Sequence, residues 1–63
     1  MKPTEFIVRY INATGSVVRE DRFAAAAPTL RDALVLAATH ADLTVGLCLA
    51  HTGVVRITID AAI

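Results

Sequence analysis

Two short segments ending in glycine, Ala13-Thr14-Gly15 and His51-Thr52-Gly53, stand on either side of one amphipathic stretch, Thr29 to Ala41. A three-residue hairpin loop wants its last residue in the left-handed region, which glycine enters without steric cost. Two hairpins around one helix is the arrangement this pattern predicts.

The flanking residues are read accordingly. Residues 5–12 are rich in β-branched and aromatic types and predict a strand. Phe6, Val8 and Tyr10 point to one face; Ile7, Arg9 and Ile11 point to the other. A second strand is expected over residues 16–23. The loop register sets Tyr10 opposite Val18, Ile11 opposite Val17 and Arg9 opposite Arg19. Like charges directly opposed are unfavourable, so this register calls for a nearby carboxylate, with Asp21 and Glu5 as candidates. Ala24 to Ala27 connects to a helix capped by Thr29, with Asp32 three residues on in a weaker form of the capping box. Leu30, Ala33, Leu34, Ala37, Ala38 and Ala41 form its apolar stripe. Leu43, Val45, Leu47 and Leu49 then alternate with Thr44, Gly46, Cys48 and Ala50, which predicts a half-buried strand. Across the second turn, Leu49 meets Val55, Leu47 meets Ile57 and Val45 meets Ile59. All three pairs are apolar and on one face.

The expected fold is α+β, a ββαββ chain in which a four-stranded, mainly antiparallel sheet carries one helix on one face. Residues 1–63 form a single domain. The expected core is Phe6, Val8, Tyr10, Val18, Leu30, Leu34, Ala37, Val45, Leu47, Leu49, Val55, Ile57 and Ile59. The bare face is expected to carry Ile7, Arg9, Ile11, Val17, Arg19, Asp21, Cys48, Val54, Arg56 and Thr58.

Apolar residues make up 56% of the chain, more than one helix on one sheet can cover in a domain this small. The surplus predicts a second buried face, most simply in a homodimer or homo-oligomer, or against a heterologous protein. The formal net charge is zero, which removes the bulk positive charge expected of a polyanion binder. The single cysteine leaves no internal disulfide, and the N-terminal residues show no signal-peptide pattern; both favour the cytoplasm. No apolar run reaches the ~20 residues of a membrane-spanning helix.

No motif for catalysis, cofactor binding or metal binding emerges. His40 and His51 lack ligand spacing, and the carboxylates Glu5, Glu20, Asp21, Asp32, Asp42 and Asp60 are scattered. His40 is read near the end of the helix, His51 in a loop, and Cys48 as a small packing residue of a strand. An enzyme is not expected. The candidate interface is Ile7, Arg9, Ile11, Val17, Arg19, Cys48, Val54 and Arg56, an arginine-bearing apolar face. Apolar centres with arginine suit protein interfaces. The same arginines fit an anion or a nucleic-acid backbone, although the exposed rings of a single-strand stacking platform are missing. They also fit ordinary solvated strand positions.

The segment Phe23-Ala-Ala-Ala-Ala-Pro-Thr-Leu-Arg-Asp-Ala-Leu, leading from one hairpin into the helix, resembles the core of HicB-type antitoxins, with Pro28 where those usually have glycine. The whole ββαββ pattern resembles small phage- and prophage-encoded proteins, some of them anti-CRISPR inhibitors. The latter resemblance implies a non-enzymatic inhibitor that covers a partner's surface, with no site residues to carry over. Purely structural oligomerisation is the remaining alternative.

Overall fold

The chain folds as β1 (Thr4–Asn12), β2 (Val17–Ala25), α1 (Leu30–Cys48) and β3 (Val54–Ala61) in a computed structural model that describes residues 2–62. The three strands form one antiparallel sheet in the order β2-β1-β3, and α1 packs on one face. The class is α+β, as expected. The expected fourth strand is absent from the described residues.

β1 is the middle strand, and burial alternates along it. Phe6, Val8 and Tyr10 are fully buried beneath the helix, and they are the largest fully buried side chains. Asn12 shapes the turn that follows. Its carboxamide oxygen accepts from the Thr14 and Ser16 amides at 3.1 and 3.0 Å and from the Thr14 hydroxyl at 2.7 Å. Gly15 takes the left-handed conformation, with φ +88°.

A bulge follows at once. Ile11 pairs with Val17 as expected, but Tyr10 pairs with Arg19, not Val18. Two residues on one strand oppose one on the other, which shifts the register by one and exchanges the faces of β2. Arg9 consequently faces Glu20 in place of Arg19, and the like-charge clash of the simple register disappears. Arg19, Asp21 and Phe23 move to the helix side. Val18, expected in the core, is exposed.

Thr29 caps α1 as expected: its hydroxyl accepts from the Asp32 amide at 3.1 Å. The helix then runs 19 residues to Cys48, straight through the segment read as the third strand. A short apolar run with two-residue alternation is compatible with either element. Here the helical reading continues an existing helix at no nucleation cost. It also extends the buried stripe of Ala33, Ala37 and Ala41 to Thr44. The Thr44 hydroxyl donates to the His40 carbonyl at 2.9 Å, so this buried β-branched residue keeps its polar atom satisfied. The pairs Leu49–Val55, Leu47–Ile57 and Val45–Ile59 therefore do not form.

His51-Thr52-Gly53 joins helix to strand instead of strand to strand. The Leu49 amide donates to Val45 O, and the Thr52 amide and hydroxyl both donate to Leu49 O. Gly53 still needs a positive φ, +68°. β3 pairs with β1, and a second bulge at Ile11/Asn12 sets Val54 opposite Asn12. Val54 thereby joins Phe23, Ala27, Val45 and Ile59 around the core.

The core is consequently smaller than expected. Leu49 is buried, but Leu30, Leu34, Leu47, Val55 and Ile57 are exposed. Alanines fill the helix side of the interface, and small residues let helix and sheet approach closely.

Gly46 offers a direct check on the helix. It lies within α1, and a Cβ built there meets nothing within 4 Å. Gly46→Ala is expected to stabilise the fold by about 0.5–1 kcal/mol, because alanine loses less backbone entropy in a helix interior. Urea unfolding measures it; a loss of stability would remove residue 46 from the helix.

Candidate functional site

The sheet face away from α1 contains five of the eight candidate interface residues. Ile7, Arg9 and Ile11 lie on it from β1, with Val17 and Arg56 opposite Ile11 on the two flanking strands. The other three lie elsewhere. Arg19 is on the helix side through the first bulge, Val54 packs against the core through the second, and Cys48 is exposed at the C-terminal end of α1. Asp21 also leaves the bare face for the helix side, whereas Thr58 stays, opposite Arg9.

Charge on the bare face is matched rather than bare. Arg9 Nε bonds Glu20 Oε2 at 2.8 Å, and its Nη1 lies 3.6 Å from Asp60 Oδ2. Arg22 pairs with Glu5. A row Glu20–Arg9–Asp60 thus crosses all three strands with alternating sign. Arg56 is the one arginine of this face without an ion-pair partner among the described residues. Three carboxylates balance three guanidiniums here, which gives little purchase to a phosphate backbone.

The helix side holds a second polar group. Arg19 Nε contacts both oxygens of Asp21, at 2.9 and 3.1 Å. Asp21 raises the pKa of Arg19 through hydrogen bonding and charge. The Tyr10 hydroxyl lies beside Thr44, Asp21 and Arg19, yet it is buried without a hydrogen-bond partner of ordinary geometry. Burial raises its pKa above 10.0; Thr44 and Arg19 act in the opposite sense.

This has a stability consequence of fixed sign. A phenol with a raised folded pKa holds its proton more tightly in the native state. Its contribution is complete below the unfolded pKa near 10 and is lost as pH rises through the folded value. Thermal unfolding is expected to show a decline above pH 10 whose Tyr10 component vanishes in Tyr10→Phe. At neutral pH that variant should match or exceed wild-type stability, since it removes an unpaired buried hydroxyl. A decline unchanged in Tyr10→Phe would reassign it to other groups.

His40 lies in the middle of α1, not near its end, and stacks on Phe23 with ring centroids 4.5 Å apart. His51 is exposed in the loop. Among the described residues there is no group of three potential metal ligands, no cavity, and no helix long and apolar enough to cross a membrane.

Further apolar surface lies on the helix, where Leu36 already stands outside the main apolar stripe in sequence and where Leu43 and Leu47, expected in a strand, join it. With His40 over Phe23 of β2, helical geometry puts Leu36, Leu43 and Leu47 along the same flank of α1. All three are exposed, Leu47 to 82%. Their spacing is helical, and continuing the helical period past Ala41 would have found Leu43 and Leu47. The opposite flank, toward β3, carries Leu34, Ala38 and Val45. Val55 and Ile57 are exposed on β3 itself. Among the described residues both outer strands have one free edge, because each pairs with β1 alone. No protein-family model, curated protein or solved structure matches the chain.

Proposed function

We propose that this protein is a non-enzymatic binding module that self-associates and acts by covering a protein partner's surface. The observation that carries the reading is the placement of the apolar surplus. Leu36, Leu43, Leu47, Val17 and Val55 are exposed along one helix flank and the two outer strands. The row Leu36, Leu43 and Leu47 on one helix flank is exposed apolar surface of the kind that marks interaction sites. A surface-covering inhibitor of the phage type is one form such a module takes. The lone Cys48 suits a reducing compartment such as the cytoplasm.

The nucleic-acid alternative draws less support, because the guanidiniums of Arg9 and Arg22 are engaged by Glu20, Asp60 and Glu5. Solution mass by light scattering across concentration and salt tests the proposal. The expected result is a mass above 6.7 kDa that persists at high salt, as apolar association does. A single-chain mass at every concentration would refute self-association. Tight binding to DNA or RNA that fell steeply with salt would favour the alternative.

A further inference from the structure

We propose that the self-association just described, on which this inference rests, is a two-fold dimer made by antiparallel pairing of β3 with β3 of a second copy. The two free edges of the sheet differ. β2 presents Arg19-Glu20-Asp21-Arg22, four successive charges of the kind that protect an edge from pairing. Self-pairing it centrally opposes Glu20 to Glu20 or Asp21 to Asp21. Between Arg56 and Asp60, β3 presents only Ile57, Thr58 and Ile59. That edge has no such protection.

The ladder decides which backbone groups are free. The Ala62 amide donates to Glu5 O at 2.7 Å. Hydrogen-bonded pairs alternate along an antiparallel ladder, so Asp60, Thr58 and Arg56 direct their backbone groups toward β1. Ile57 and Ile59 direct theirs outward. A two-fold axis at Thr58 then makes Ile57 and Ile59 of the second copy a hydrogen-bonded pair. The same axis sets Arg56 opposite Asp60 of the second copy, twice, in the closer non-hydrogen-bonded type of pair.

Shifting the register by two residues either way loses this match. Centring on Ile57 puts Asp60 against Val54; centring on Ile59 puts Asp60 against Thr58. Charge complementarity thus selects one register. It also supplies a partner for Arg56, which has none among the described residues, and continues the row Glu20–Arg9–Asp60 into the second copy. The product is a six-stranded sheet with both helices on one face. Leu34, Val45 and Ile57 of each copy then flank the seam. A standard interface buries about 800 Å² per partner, roughly a fifth of the 4315 Å² this chain exposes.

The experiment measures dimer dissociation for four full-length chains by light scattering and sedimentation, with circular dichroism to verify folding. Wild type is expected to be a dimer. Arg56→Asp should dissociate roughly ten- to thirty-fold more readily, because two attractive pairs become repulsive. The double exchange Arg56→Asp with Asp60→Arg should return most of that loss. Thr58→Glu should give folded monomers: its carboxylate faces Arg9 within the chain but meets its own copy at the axis. A dimer that survives Thr58→Glu, or a double exchange no tighter than Arg56→Asp, would overturn β3 pairing and leave self-association standing. A wild-type monomer at every concentration would overturn both.

Discussion

Phe6→Ala is expected to cost about 3–5 kcal/mol, the usual range for emptying a buried aromatic site, and to leave much of the chain unfolded at room temperature. Phe6 is fully buried on the central strand, and only Tyr10 and Val8 accompany it among the largest fully buried side chains. Most of the residues that α1 buries against the sheet are alanines, Ala33, Ala37 and Ala41, which have no side chain to move inward and fill the space. A chain of 63 residues has a total stability on the order of 3–9 kcal/mol, so one such loss takes a large share of it. Urea unfolding followed by circular dichroism measures the effect. Val17→Ala, on an exposed side chain, should change stability by less than about 0.5 kcal/mol. Similar losses in the two variants would mean that the core is not centred on β1.

That core was legible because β1 alternates without interruption. Phe6, Val8 and Tyr10 follow the two-residue period through to burial, and Thr29 has the side chain a helix start needs. The errors share a physical origin. Periodicity reports a local preference, whereas register and element length depend on what the segment packs against. One extra residue at Val18 transfers Arg19, Asp21 and Phe23 from one face of the sheet to the other. The unfavourable Arg9–Arg19 juxtaposition was a usable warning, since shifting by one residue brings Glu20 to Arg9. A second extra residue, Val55, turns Val54 toward the core.

The lost strand is the larger lesson. Residues 43–50 hold Leu, Thr, Val and Gly in an order that alternates every second residue, yet Leu36, Leu43 and Leu47 also follow a helical period. What decides between them is the buried stripe Ala33, Ala37, Ala41 and Thr44, because only the helix lets Thr44 close that stripe over Tyr10. The free β3 edge was hidden by the same choice. A strand over residues 43–50 would have covered it, and in its absence β3 pairs with β1 and leaves its other side open.

Ala37→Leu tests the close approach that this stripe provides, and it is expected to cost about 1–3 kcal/mol. Ala37 is fully buried at the middle of α1, over the face formed by Phe6, Val8 and Tyr10. Ala37 is enclosed on all sides, so to admit leucine the helix must lift from the sheet or a neighbour must leave its rotamer. Either response loosens contacts along the whole stripe, since Ala33 and Ala41 sit one turn away on each side. Ala38→Leu is the control. Ala38 is exposed, and leucine is nearly as good a helix former as alanine, so stability should hold within about 0.5 kcal/mol. Thermal and urea unfolding of the two variants compare neighbouring positions with the same added volume. A penalty at residue 38 equal to that at 37 would mean that α1 is rotated from the orientation described. A penalty at 37 alone would establish the alanine stripe as the surface on which helix and sheet meet, and would keep Leu36, Leu43 and Leu47 on the outside, available to a partner.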